Sequence, residues 1–290
     1  MEHFVEQTLR RLQIRSRRPV EHLLAGEYRS VFKGRGVEFD ELREYAAGDD
    51  VRAIDWRSLA RTGRPHIRRY IEEREQNFIL AVDMSASFSF GSGERAKRDA
   101  AQEAAALLAW SAARNKDRVG LLLFTDEAER FIPPARGRNH VLRAISELVE
   151  FQPGHKITDI AAALDFIGRV TRKRSIVFLF SDFLAAGYEE SLHLLSRRHD
   201  VTAVLVRDPA EQRLPTGGLI QLRDAESGLE RLVDTHVIGE MNRKPAERFE
   251  RVCHEADIGH FEIGPQMDCV EVLSAYFQSR RRRAMDEIGG

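Results

Sequence analysis

Three side chains with oxygen donors follow an unbroken apolar run in the first third of the chain. Residues 78–82 are all apolar, and Asp83, Ser85 and Ser87 come directly after them at two-residue spacing. An apolar run of this length predicts a strand that is buried on both faces of a parallel sheet. The carboxyl end of such a strand is where open α/β sheets bind their ligands. Hard cations such as Mg²⁺ or Mn²⁺ prefer oxygen ligands, so the pattern predicts a divalent-cation site.

The same residue types are common in turns, so a purely structural interpretation stays open. In that alternative, Ser89 or Ser92 caps the next helix. Two later segments favour the cation site: Thr158 opens an apolar segment of helical period, and a second apolar run ends in Asp182. Thr158 also suits the N-cap position of the helix that follows it.

Five oxygen-bearing residues together resemble the metal-ion-dependent adhesion site of von Willebrand factor A domains: Asp83, Ser85, Ser87, Thr158 and Asp182. The resemblance implies Mg²⁺, or alternatively Mn²⁺ or Ca²⁺, held by the hydroxyls of Ser85, Ser87 and Thr158. Asp83 and Asp182 would act mostly through water and would fix the serine hydroxyls. One coordination position would stay open for an Asp or Glu of a partner protein. The segment before the threonine departs from the usual glycines of that family and has His, Lys and Ile at positions 155–157.

A second pattern lies in the N-terminal part of the chain. The segment Gly48-Asp49-Asp50-x-Arg52-x-Ile54-Asp55-Trp56 resembles the signature of a bacterial family called domain of unknown function fifty-eight. There the signature precedes an A-type domain, which implies a family-specific segment at 1–76 and a von Willebrand factor A-like domain at 77–290. The resemblance also implies a partner, a MoxR-type AAA+ ATPase, with this chain as adaptor in the assembly or maturation of client protein complexes. The residues themselves leave Asp49, Asp50 and Asp55 open between ion pairs in a rigid loop and a metal-binding or catalytic role.

Strand and helix patterns alternate from residue 77 to the C-terminus. This alternation predicts an α/β fold with a doubly wound, mostly parallel Rossmann-like sheet. The resemblance makes that sheet von Willebrand factor A-like, with an N-terminal family-specific subdomain beside it. Residues 128–132 are predicted to return antiparallel to the preceding strand. Residues 219–223 and 229–233 flank turn-forming residues and predict a hairpin.

Composition excludes several classes of function. The chain has 290 residues, of which 42% are hydrophobic and 31% charged, and these values are typical of a globular protein with a substantial core. The formal net charge of −1 argues against a general nucleic-acid binder. No apolar run approaches the length of a membrane span. The two cysteines make no disulfide framework, which predicts a reducing, cytoplasmic location.

The enzymatic alternative is a Mg²⁺-dependent phosphatase of the haloacid-dehalogenase type, which also has an aspartate at the end of its first strand. That chemistry needs a carboxylic acid two residues later, and this position holds Ser85. A serine hydroxyl cannot act as a general acid near neutral pH as a carboxyl group does. The sequence therefore predicts a non-catalytic interaction protein, with the phosphatase and a scaffold with a vestigial metal site as alternatives.

Overall fold

A computed structural model describes residues 20–32, 41–46, 54, 56–69, 75–212, 218–226, 228–234 and 243–289. The signature carboxylates Asp49, Asp50 and Asp55 lie outside the described residues. The interpretation of their role therefore stays a prediction.

The described residues form ten strands and nine α-helices. The strands are β1 (Glu41–Glu44), β2 (His66–Arg69), β3 (Asn77–Asp83), β4 (Arg118–Phe124), β5 (Ala128–Ala135), β6 (Ser175–Ser181), β7 (Asp200–Val206), β8 (Leu219–Arg223), β9 (Glu230–Asp234) and β10 (Gly259–Ile263). The helices are α1 (Val20–Phe32), α2 (Trp56–Thr62), α3 (Lys97–Arg114), α4 (Arg138–Glu150), α5 (Ile160–Val170), α6 (Glu189–Ser196), α7 (Pro209–Gln212), α8 (Arg243–Glu255) and α9 (Cys269–Gly289). None of these helices combines the length and apolarity that crossing a bilayer requires.

Six strands form the central sheet, in the order β10-β7-β6-β3-β4-β5. Five of them are parallel, and β5 alone runs antiparallel, against β4. After β3 the chain forms β4 and β5 on one side of β3. It then crosses back and forms β6 on the other side of β3. The strand order therefore reverses between β3 and β6, which is where sheets of this kind open a crevice. The predicted doubly wound, mostly parallel sheet is confirmed.

The sheet separates two apolar cores, because successive side chains of a strand point to opposite faces. Phe78, Leu80 and Val82 of β3 lie in the core beneath α1, α3, α4 and α9. Ile79 and Ala81 lie in the core beneath α5, α6 and α8. Burial on both faces explains the unbroken apolar run that the sequence displays.

Two smaller antiparallel pairs accompany the central sheet. β1 pairs with β2, and α2 lies between them in the chain. β8 pairs with β9, so the predicted hairpin is confirmed.

α1 lies within the predicted N-terminal segment, yet its residues Leu24 and Tyr28 are buried in the core that contains β3. The division at residues 76 and 77 stays a prediction.

Candidate functional site

The candidate site lies where β3 and β6 end side by side, at the reversal of strand order. Their parallel register pairs Val82 with Phe180. The next residue of each strand is therefore Asp83 on β3 and Ser181 on β6. Because parallel strands carry their carboxyl ends at the same edge, two segments almost a hundred residues apart meet there.

Asp83 is fully buried at this edge. Its Oδ1 accepts a hydrogen bond from the Ser85 backbone N–H at 2.9 Å, and its Oδ2 accepts one from the Ser181 hydroxyl at 2.8 Å. Burial, followed by the negative charge of Asp182, raises the pKa of Asp83 well above its ordinary value, although hydrogen bonds from Ser85 and Ser181 oppose the shift. The site thus holds a buried carboxyl group that additional positive charge would stabilise as carboxylate.

Ser85 and Ser87, the two predicted serines, connect Asp83 with Asp182 through a series of hydrogen-bond contacts. Ser85 Oγ and Ser87 Oγ are 3.2 Å apart, within hydrogen-bond distance. Ser87 donates its hydroxyl proton to Asp182 Oδ2 at 2.8 Å. A short 3₁₀ helix, Ala86–Ser89, turns the chain at this point. Four of the five predicted residues are therefore joined by one set of contacts.

The backbone after Asp182 has an unusual conformation. Phe183 has φ of 52°, in the left-handed region that a large side chain rarely adopts. Its ring is buried and packs 4.6 Å from the ring of Phe249, centroid to centroid. The N–H of Leu184 donates to Asp182 Oδ1 at 3.2 Å. This sharp turn, held by aromatic packing, keeps the Asp182 carboxylate at the edge of the sheet.

Lys97 is a member of the site that sequence reasoning missed. Its side chain is 0% exposed, and its Nζ lies 2.9 Å from Asp182 Oδ2 and 2.7 Å from Glu211 Oε1. Burial by itself lowers the pKa of Lys97, but the carboxylates of Asp182 and Glu211 outweigh it and raise the pKa above the ordinary value. Lys97 therefore stays charged, and it already supplies one positive charge at Asp182. A sequence signal existed, because Lys97 shares a helical stripe with buried alanines such as Ala101.

A second set of contacts continues from Lys97 to the loop after β7. Glu211 Oε2 accepts from the Asp208 backbone N–H at 3.0 Å. Asp208 in turn accepts from the Ser92 hydroxyl at 2.6 Å and from the Ser92 N–H at 3.0 Å.

The alternative in which Ser89 or Ser92 caps the next helix is wrong, because α3 begins at Lys97 directly after Ala96, which makes no side-chain cap.

Thr158 has a different neighbour from the other predicted residues. Its hydroxyl donates to Glu226 Oε1 at 2.8 Å, and Glu226 lies in the turn between β8 and β9. The loop before Thr158 does reach the serine segment, because Lys156 O accepts from the Ala86 N–H at 2.9 Å. The Lys156 side chain is exposed. The predicted N-cap role of Thr158 is wrong: Asp159 caps α5 by accepting from the Ala162 N–H at 2.9 Å.

The donor set fits a hard divalent cation in its chemistry. Three hydroxyls and two carboxylates offer only oxygen, the ligand type that Mg²⁺, Mn²⁺ and Ca²⁺ prefer. Within the part of the chain that the structure describes, no three His, Cys, Asp or Glu side chains form a metal-binding group by themselves. The resemblance implies that the hydroxyls of Ser85, Ser87 and Thr158 bind the cation directly, with Asp83 and Asp182 behind them, and this assignment stays a prediction.

Comparisons with known proteins agree with this fold. An uncharacterized protein of Mycobacterium tuberculosis is 34% identical over 294 residues, which cover 96% of this chain and 90% of that protein. An uncharacterized protein of Mycobacterium avium is 26% identical over 167 residues, covering 52% of this chain and 95% of that protein. The crystal structure of an aerotolerance-related membrane protein from Bacteroides fragilis superposes with a TM-score of 0.51 at 16% identity, covering 71% of this chain and 99% of that one. The likeness concerns the fold alone, and the fold is von Willebrand factor A-like, as predicted.

The family follows from the sequence match. A family model described as "Protein of unknown function DUF58" matches residues 41–252. This range includes the whole of the signature from Gly48 to Trp56, the strands β3 and β6, and all five predicted site residues. The chain therefore belongs to the DUF58 family.

Proposed function

We propose that this protein is a non-catalytic adaptor whose contact with its partner depends on a divalent cation. The observation that carries the proposal is the continuous set of contacts from Asp83 through Ser85 and Ser87 to Asp182 at the reversal of strand order. Such a cluster of hydroxyls with carboxylates behind them suits a cation that keeps a coordination position for another molecule. Mg²⁺ bound there would supply positive charge and that open position.

The roles of this chain's own residues follow from their contacts. Ser85, Ser87 and Thr158 would offer hydroxyl oxygens to the cation. Asp182 accepts from the Ser87 hydroxyl and so orients its oxygen, while Asp83 anchors the Ser85 backbone. An Asp or Glu of the partner would complete the site, and its carboxylate would be held by a charge-assisted contact.

The partner in this proposal is a MoxR-type AAA+ ATPase, and the task is assembly or maturation of a client protein. Membership of the DUF58 family is the support for this assignment. A cytoplasmic location is part of the proposal, and Cys253 and Cys269 are consistent with it because both are free and buried.

A second candidate function is a scaffold whose metal site is vestigial. The observation that favours it is Lys97, because the ammonium group already compensates Asp182 and Glu211 without a metal ion. Both candidates predict protein binding. They differ in whether binding needs the cation.

Thermal unfolding with and without millimolar Mg²⁺ or Mn²⁺ tests the cation. A ligand at one hundred times its dissociation constant stabilises a protein by about 2.7 kcal/mol, which is measurable as a higher melting temperature. We expect this shift in the wild type and its loss in Ser85→Ala. The matched control is Ser89→Ala, because Ser89 lies in the 3₁₀ helix that directly follows Ser85 but is exposed. An equal shift in Ser85→Ala would mean that the cation binds elsewhere.

Capture of a purified MoxR-type ATPase then separates adaptor from scaffold. The adaptor requires that capture is lost in EDTA and in Ser85→Ala but retained in Ser89→Ala. Capture that ignores both the chelator and Ser85→Ala would support the scaffold. Hydrolysis of an aryl phosphate that is metal-dependent and abolished by Asp83→Asn would overturn both in favour of a phosphatase.

A further inference from the structure

The turn between β8 and β9 places a carboxylate against Thr158, one of the five predicted site residues. Asp224 organises this turn: its N–H donates to Leu229 O at 2.8 Å, and its Oδ1 accepts from the Glu226 N–H at 3.1 Å. Gly228, which has φ of 71°, donates its N–H to Asp224 O at 2.9 Å. Glu226 is thus held in a defined turn at the tip of the hairpin, where its side chain is half-buried.

Both oxygens of Glu226 face Thr158. Oε1 accepts from the Thr158 hydroxyl at 2.8 Å, and Oε2 lies 3.4 Å from the Thr158 backbone nitrogen, which donates to it. The two residues are 68 positions apart in the chain, so tertiary structure alone brings them together. Thr158 is the same hydroxyl that the proposed function assigns to the cation.

We propose that Glu226 is this chain's own acidic ligand of the cation site and that the β8–β9 hairpin closes the site until a partner's carboxylate displaces it. This inference rests on the proposed function, because it assigns the coordination position that the proposal keeps for a partner. Glu226 has the chemistry required of that partner residue, and it lies beside one of the three proposed hydroxyl ligands. The loop that carries Thr158 is also bonded to the serine segment, through Lys156 O and the Ala86 N–H.

Competition of this kind has a calculable effect on the partner. An external carboxylate binds only the fraction of molecules whose hairpin is open, so its apparent dissociation constant is the intrinsic one divided by that fraction. A hairpin that is closed in about nine molecules of ten would weaken the partner by roughly tenfold. Removing the charge of Glu226 should therefore weaken binding of the metal and strengthen binding of an added carboxylate.

Titration with Mn²⁺ alone tests the inference without a partner or an activity. Electron paramagnetic resonance measures free Mn²⁺, and water-proton relaxation reports how many water molecules remain on the bound ion. For Glu226→Gln we expect Mn²⁺ affinity to fall by roughly tenfold or more, as for other changes close to a metal. We also expect about one additional water on each bound ion, in the place of the lost carboxylate. Gln keeps the shape of Glu and can still accept the Thr158 hydrogen bond, so the hairpin should stay folded, and far-UV circular dichroism checks this.

The matched control is Glu230→Gln on the same hairpin. Glu230 is exposed and bonds Gln221 across the two strands at 2.7 Å. We expect this variant to bind Mn²⁺ as the wild type does. Acetate added to the Mn²⁺ complexes should displace water more readily from Glu226→Gln than from the wild type or Glu230→Gln.

The outcomes separate this inference from the proposed function. Equal affinity and equal hydration in Glu226→Gln and wild type, with binding lost in Ser85→Ala, would overturn the inference and leave the cation site standing. Mn²⁺ binding that is absent in the wild type, or insensitive to Ser85→Ala, would overturn the proposed site and the inference together.

Discussion

Lys97 carries a positive charge inside the protein, between the carboxylates of Asp182 and Glu211. The pair with Asp182 is almost fully buried, since the Lys97 side chain is 0% exposed and the Asp182 side chain 4%, whereas the Glu211 side chain is 23% exposed. Removing one member of a buried pair leaves the other with an uncompensated charge, which costs more than the pair itself contributes. The stability of the site edge thus depends on this one ammonium group.

We predict that Lys97→Met destabilises the protein by about 3 to 5 kcal/mol, because two carboxylates lose their shared cation while the volume of the side chain is nearly kept. Urea unfolding followed by circular dichroism measures the change. Lys173→Met is the control: Lys173 is exposed, and its loss should alter stability by no more than about 0.5 kcal/mol. Equal small effects in the two variants would contradict the charge pairing described for Lys97.

At the scale of single elements, α1 shows how the N-terminal segment contacts the sheet. Tyr28 is fully buried, with its ring 5.5 Å from Phe78 and 6.2 Å from Phe277, centroid to centroid. Its hydroxyl donates to Asp117 Oδ2 at 2.9 Å. Burial and then the charge of Asp117 raise the pKa of Tyr28, so the hydroxyl keeps its proton and remains a donor. α1 is therefore tied to the start of β4 as well as to β3.

We predict that Tyr28→Phe lowers the free energy of unfolding by about 1 to 3 kcal/mol, the range for a buried hydrogen bond to a charged acceptor. Chemical denaturation measures it. The control is Tyr188→Phe, since Tyr188 is equally buried but lies beside the Arg248 guanidinium rather than donating to a buried carboxylate among the described residues. We expect that change to be close to neutral, and a Tyr28→Phe variant as stable as Tyr188→Phe would show that the Asp117 contact contributes nothing.

For the whole molecule, the two cores share one sheet. β3 and β6 contribute alternate side chains to both sides, so neither core can be lost while these strands stay fully packed. Phe277 of α9 fills one core and Phe249 of α8 fills the other, and each is 1% exposed. This arrangement favours cooperative unfolding of both layers.

We predict that Phe277→Ala and Phe249→Ala each lower stability by about 3 to 5 kcal/mol and keep a single transition. Circular dichroism reports the whole protein, and Trp110, which packs against the core of Phe277, reports one layer by fluorescence. A Trp56→Phe background removes the other tryptophan, which is 64% exposed. Loss of ellipticity in Phe249→Ala without a matching change in Trp110 fluorescence would contradict the shared sheet and indicate two units that unfold separately.

Patterns confined to one segment were enough to predict the fold. The apolar run at 78–82 indicates a strand buried on both faces, and the alternation of such runs with helical periods leaves few arrangements other than a doubly wound sheet. The same reasoning predicted the antiparallel return of β5 and the β8–β9 hairpin. It also predicts that Asp83 and Asp182 each close a buried strand, and the structure brings the ends of these two strands to one edge of the sheet, because they are parallel neighbours.

Long-range contacts were not predictable in the same way. No sequence pattern near Lys97 predicts its ion pairs with Asp182 and Glu211. No pattern near Thr158 predicts its hydrogen bond to Glu226. The sequence predicts an N-cap role for Thr158, but Asp159 takes that role, because the helix begins one residue later than this prediction requires. These pairings depend on where crossover connections and loops place side chains from distant segments.

By itself, then, the sequence determined the family, the α/β sheet and the strand ends that carry the candidate ligands, since local periodicity and a continuous signature encode them. Only the tertiary structure decided how the site is charged and what faces it: Lys97 beside Asp182, and Glu226 on Thr158. The physical reason is that burial and charge pairing are properties of a position in space. A lysine or a glutamate has the same local pattern whether it faces water or another charge, and the folded sheet determines which of the two it faces.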